Sequence, residues 1–130
     1  MAATGRSEPL MILVAGPYRS GTGDDPAKLA ANVEAMNFAA LRLFRMGHLP
    51  ITEEAVALPL VELAGSTRIG DRVFDEIFHP IARRLLSRCD AVVRVGGPSA
   101  GADEMVAQAH REGKRVFMSL GAVPDLRMRP

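Results

Sequence analysis

The residues best suited to chemistry sit in two glycine-bearing loops, each leaving a short apolar run and entering a helical segment. The first, Gly16-Pro17-Tyr18-Arg19-Ser20-Gly21-Thr22-Gly23-Asp24-Asp25, follows Leu10 to Ala15. Arg19 supplies a forked cationic donor, and backbone N–H groups near a helix start attract an anion. Gly16, Gly21 and Gly23 let the chain turn tightly and approach a ligand closely. The loop has no Gly-Lys-Ser/Thr ending and lacks the dinucleotide-binding spacing, so neither of those phosphate motifs applies. Tyr18, the only tyrosine, could stack on a base or cover the sheet edge.

The second loop, Gly96-Gly97-Pro98-Ser99-Ala100-Gly101-Ala102-Asp103-Glu104, follows Ala91 to Val95. Ser99 and Gly101 could hold an oxygen-rich group by hydroxyl and backbone donors. Asp103 and Glu104 fall in the first turn of the next helix, where the dipole favours carboxylates. They read either as ordinary helix-start acids or as a nucleophile facing an electrophilic carbon. The two loops together point to a phosphorylated or sugar-bearing substrate and to acid–base or nucleophilic chemistry.

The elements that must position these loops follow from the patterning. Leu10 to Ala15 is a continuous apolar run, as in a parallel strand covered on both faces. Asp25 as N-cap and Pro26 at the first helical position open a helix carrying Leu29, Val33, Met36, Ala40, Leu41 and Phe44 on one face and ending at Gly47. His48 to Thr52 reads as a short strand, placed at an edge by Pro50. Glu53 to Leu63 reads as one or two helical turns interrupted by Pro59. Glu53 and Glu54 there are further acid candidates at the same end of the sheet, or a helix N-terminal pair. Asp71 opens a helix with Phe74, Ile77, Phe78, Ile81 and Leu85 on one face, and Pro80 predicts a kink or restart. The strand Asp90 to Val95, the helix Ala102 to Glu112 and the strand Arg115 to Leu120 complete the series. The alternation predicts one Rossmann-like α/β domain over residues 10–124, with a mostly parallel sheet of four or five strands flanked by helices. Residues 1–9 and 125–130 read as loose tails.

Composition narrows the function classes. A formal charge of +1, from 16 basic and 15 acidic residues, argues against electrostatic binding of a nucleic acid polymer. Arg83, Arg84 and Arg88 read as a solvated helix face. Cys89 is the only cysteine, so a disulfide framework is excluded and a reducing, cytoplasmic setting is expected, with the thiol a packing residue. The histidines and the cysteine match no metal-ligand spacing, and neither metal nor cofactor is expected. No apolar stretch reaches the roughly 20 residues of a membrane span.

The segments Ala15-Gly16-Pro17-Tyr18-Arg19, Cys89-Asp90-Ala91-Val92-Val93 and Pro98-Ser99-Ala100-Gly101-Ala102-Asp103-Glu104, in this order, resemble the nucleoside 2-deoxyribosyltransferase superfamily, which includes the 2'-deoxynucleoside 5'-phosphate N-hydrolases. The resemblance spans about residues 10 to 120 and rests on short motifs. It implies cleavage of an N-glycosidic bond through a carboxylate nucleophile and a glycosyl-enzyme intermediate, with transfer to another base or to water. It places Glu104 at the nucleophile position and Ser99 and Gly101 at the sugar or its 5' group. Arg19, Ser20 and Gly21 match a 5'-phosphate loop, and Tyr18 a base-pocket position. It also implies a homodimer or higher homo-oligomer, with a small-molecule nucleoside or nucleotide as the ligand. Two departures matter. The spacing from Ser99 to Glu104 is one residue shorter than in better-known members, which makes Asp103 the alternative carboxylate. The helix aspartate before the Cys-Asp strand is replaced by Phe78-His79-Pro80, leaving Asp75 or His79 as its substitute. That loss leaves open a non-catalytic nucleotide-binding or sensing module on the same fold.

Overall fold

Alternate side chains of the first strand feed two different cores, which is why its sequence is apolar without interruption. In β1 (Met11–Ala15), Ile12 and Val14 join one buried cluster with Met36, Ala39 and Leu43; Leu13 and Ala15 join another with Ala82, Leu86, Cys89, Met105 and Ala109. This computed structural model describes residues 8–128. The remaining elements are α1 (Pro26–Arg45), β2 (Leu49–Thr52), α2 (Glu53–Leu63), α3 (Arg72–Arg88), β3 (Ala91–Arg94), α4 (Ala100–Arg111) and β4 (Arg115–Phe117), followed by 3-10 turns at Leu120–Ala122 and Leu126–Met128. The sheet is four-stranded and wholly parallel, in the order β2-β1-β3-β4. Leu13 stands opposite Ile51 on one side and Val92 on the other. β2 is an edge strand, as Pro50 requires.

A third buried cluster is separate from both sheet faces. Ala57 and Val61 of α2 pack against Phe74 and Phe78 of α3. Both helices contain a proline, yet neither is interrupted. The carbonyls that Pro59 and Pro80 leave without a donor belong to Ala55 and Glu76, both in exposed residues, so water can satisfy them. The expected restart at Pro80 and the interruption at Pro59 are therefore absent.

Three further expectations are corrected. On α1 the buried meridian is Leu29, Met36, Ala39 and Leu43, while Leu41 and Phe44 face outward. The last strand stops at Phe117, where a 3-10 turn takes over. The segment from Asp125 is docked rather than loose as far as it is described. Leu126 donates its N–H to the Met46 carbonyl at 2.9 Å, and His48 links the segments before β1 and after β4, its Nδ1 accepting from the Leu10 N–H at 3.1 Å and its Nε2 lying 2.7 Å from the Pro124 carbonyl. Of the expected N-terminal tail, residues 1–7 lie outside the described residues. Cys89 is buried at 1% exposure, and burial pushes its thiol up to about 11, consistent with a packing role.

Candidate active site

Parallel strands aim their carboxyl ends at one edge of the sheet, and the loops after β1, β2 and β3 meet there. The closeness of the first and third loops depends on Gly16. A Cβ on that residue would stand 3.0 Å from Val95 Cγ2 and 3.1 Å from the Val95 carbonyl oxygen. Asn32 of α1 secures the first loop by donating to the Tyr18 carbonyl at 2.7 Å. Arg19 is held within its own loop. Its guanidinium donates from Nε and Nη2 to the two oxygens of Asp24, at 2.7 and 2.9 Å, and this pair holds the Asp24 carboxyl below the usual range. The guanidinium also lies over Gly70, where an added Cβ would come within 2.5 Å of Nη1.

In the third loop Ser99 is the N-cap of α4, its Oγ accepting from the Ala102 N–H at 3.1 Å. Arg94, at the end of β3, braces the loop by donating to the Val95 and Gly97 carbonyls. Its Nε also bonds Asp103 at 3.0 Å. The helix then turns Ala102, Met105 and Ala109 inward. Asp103 and Glu104 project about 100° and 200° round from Ala102. Asp103 is spent on Arg94, and Glu104 pairs with Arg111 at 3.0 Å on the exposed surface.

A cavity of about 160 Å³ opens where β1 ends. Its floor is Leu13, Val14, Ala15 and Gly16, and its walls are Tyr18, Phe74, Phe78, Ala102 and Met105. The three rings form a continuous stack, Tyr18 on Phe78 at 5.5 Å and Phe78 on Phe74 at 4.6 Å between centroids. Polar lining comes from Arg19, Ser20, Ser99, Glu53, Glu54, Asp75 and His79. An adjoining open groove shares Ser20 and Ser99 and continues over Gly21, Asn32 and Gly97 to Ala100.

The acidic side is the work of β2 and α2. Thr52 closes the strand and caps the helix, its Oγ1 accepting from the Ala55 N–H at 3.3 Å. Glu53 and Glu54 therefore occupy the first turn, facing the cavity. Glu54 is only 3% exposed, and its Oε1 has no hydrogen-bond partner among the described residues. Burial, with the Glu54 charge adding to it, pushes Glu53 up to about 8; burial likewise pushes Glu54 up to about 7. Burial and the nearby Glu54 also raise the Tyr18 hydroxyl. On the open side of the cavity, Asp75 and His79 stand one turn apart on α3, with Oδ1 and Nε2 4.0 Å from each other.

Of the residues singled out in the sequence, Gly16, Tyr18, Arg19, Ser20, Ser99, Gly101, Asp75 and His79 thus line one cavity. Gly21 lies in the adjoining groove. Asp103 and Glu104 line neither. The cavity-facing position of α4 is one residue later, where a longer Ser99 spacing would fall, and it holds Met105, 8% exposed. Sequence reasoning assigned Phe74 and Phe78 to core packing alone; their helical spacing carried no sign that the same face also forms a cavity wall. Among the described residues no group of three His, Cys, Asp or Glu side chains could hold a metal, and no helix is long and apolar enough to cross a membrane. Compared with known families and with characterised proteins, the chain matches no family model and no individual sequence.

Proposed function

We propose that the chain binds a nucleoside or nucleoside 5'-monophosphate in this cavity and cleaves or transfers its N-glycosidic bond. The observation that carries the reading is the gathering of Glu53, Glu54 and Asp75 around one aromatic-walled cavity at the carboxyl end of the sheet. At 160 Å³ the cavity is smaller than the roughly 300–1,000 Å³ of ligand pockets in general. It suits the base, with the sugar and its 5' group lying along the open groove past Ser20, Ser99 and Ala100.

Breaking the bond between the anomeric carbon and the base nitrogen builds positive charge on the sugar, which a neighbouring carboxylate stabilises or captures. Asp75 takes that part here, because it lines the cavity whereas Glu104 and Asp103 point away. His79, 4.0 Å from Asp75, is its positioning residue. As the base leaves with the bonding electrons, Glu53 supplies its proton; a carboxyl raised to about 8 still carries one at neutral pH. An Asp75 oxygen then bonds the anomeric carbon. Water or an acceptor base then attacks the anomeric carbon, giving its proton to the Glu53 carboxylate as the bond to the Asp75 oxygen breaks, which regenerates both the Asp75 carboxylate and the Glu53 acid.

The test is release of free base from a panel of ribo- and deoxyribonucleosides and their 5'-monophosphates, with and without an acceptor base. Asp75→Asn is expected to abolish release, and Glu53→Gln to slow it about 100-fold. Glu104→Gln should leave it within twofold. Loss on Glu104→Gln, with Asp75→Asn active, overturns the assignment. Binding without release from any substrate selects the second reading, a nucleotide-binding module without turnover. Met105 favours that reading, because a thioether at the cavity-facing position of α4 can neither capture a sugar carbon nor carry a proton.

A further inference from the structure

Glu54 is left without a part in that scheme, and its surroundings say what it could do. It is nine-tenths buried, it lines the cavity, and one of its oxygens is unsatisfied. A buried polar oxygen without a partner is costly to the fold. On a cavity wall a ligand can complete such a group. Among the described residues no cation pairs with it: Arg19, the one Lys or Arg lining the cavity there, is engaged through one edge of its guanidinium, Nε and Nη2, by Asp24. Beside Glu54 stands the flat stack of Tyr18, Phe78 and Phe74, which accepts a planar ring.

We propose that Glu54 is the specificity residue of the cavity: its carboxylate, turned about the Cγ–Cδ bond to present the unpartnered oxygen, accepts an N–H from an amino group on a flat heterocycle lying against Tyr18 and Phe78. The ligand class that follows is amino-bearing bases, in preference to the same rings carrying oxygen or hydrogen at that position. The choice of nucleosides as probes rests on the function proposed above, but recognition of the amino group does not require turnover. The field around Glu54 supports this choice. Glu53 stands next to it, Asp75 and His79 face it from α3, and Tyr18 with the Arg19–Asp24 pair faces it from the first loop. Neutral or cationic donors complement the carboxylates of that set. Burial holds the Glu54 carboxyl near 7, so a donor that favours its ionised form draws a proton off on binding.

The experiment is calorimetric titration of the wild-type chain with matched pairs that differ only at one substituent: adenosine against purine riboside, guanosine against inosine. Glu54→Leu is titrated alongside, with its thermal midpoint recorded as a check on folding. A hydrogen bond to a charged acceptor makes the amino member bind about tenfold or more tightly. The variant, folded and still binding, should lose that preference. Equal affinity within both pairs overturns the inference while leaving the nucleoside reading intact. So does a folded Glu54→Leu chain that discriminates as well as wild type. Binding of no nucleoside at millimolar concentration overturns both. Discrimination without base release upholds the inference and removes only the catalysis. If Glu54→Leu does not fold, the wild-type pairs alone decide.

Discussion

Glu53 and Glu54 are raised by burial, and Asp71 is lowered by donors, so the two kinds of carboxyl shape stability in opposite senses. The glutamates, pushed to about 8 and about 7, keep protons in the folded chain that the unfolded chain has released above its ordinary value near 4.5. The folded state thus binds more protons between about pH 4.5 and 8, and stability falls as pH rises through that window, by up to about 1.4 kcal/mol per pH unit for each group. Thermal unfolding followed from pH 5 to pH 8 should give a declining midpoint in wild type. In Glu54→Leu the decline should be shallower and the midpoint at pH 8 higher, since an unpartnered buried acid has been removed. A midpoint that rises with pH in wild type would show that the pair is solvated. The outward turn of Asp103 and Glu104 was not legible in the sequence, because it depends on which residue caps α4. Once Ser99 is the cap, helical geometry sends positions 103 and 104 outward and position 105 in.

Helix α3 carries more of the candidate site than any other element, and its start is tied down by one side chain. Asp71 Oδ1 accepts from the Phe74 N–H at 2.8 Å and from the Ser66 hydroxyl at 2.8 Å, while Oδ2 accepts from the Thr67 N–H at 2.9 Å. The hydrogen bond from Phe74, followed by those from Thr67 and Ser66, holds Asp71 well below the usual carboxylate range. Its contribution is present at neutral pH and is lost as pH falls through the acid range. Asp71→Ala should lower the thermal midpoint by several degrees and weaken ligand binding by displacing Asp75, Phe78 and His79 together; Asp71→Ser, which keeps a cap, should recover most of both. Unchanged binding in the alanine variant would separate the cap from the cavity. Element types and order were readable from apolar periodicity, and Asp25, Asp71 and Pro26 marked helix starts because capping is local chemistry. The effect of Pro59 and Pro80 was not readable. It turns on whether the carbonyl four residues back reaches water, which is a property of the packed chain.

Across the whole molecule, the two ends of the described chain are joined by one buried side chain. His48, 4% exposed, bonds Leu10 ahead of the central strand and Pro124 behind the last one. His48→Ala removes both bonds and leaves a void, so urea unfolding should report a loss of about 2–3 kcal/mol. No change would mean that the C-terminal segment adds nothing to the fold. The loop pair that brings Gly16 against Val95 was the part of the site most legible in advance, because strand-loop-helix order alone brings such loops together. The acid pair after β2 was visible only as two adjacent glutamates, with nothing in their neighbours to say that one would be buried. The separate apolar cluster shared by α2 and α3 has a mechanical consequence. The cavity runs along the boundary between the sheet and the block made by α2 and the first half of α3, so that block can rock outward to admit a larger guest while the second half of α3 stays anchored in the sheet core by Ala82 and Leu86. Amide exchange should then be fast in α2 and the first half of α3, slow in β1 and β3, and damped selectively in that moving block once a ligand is seated.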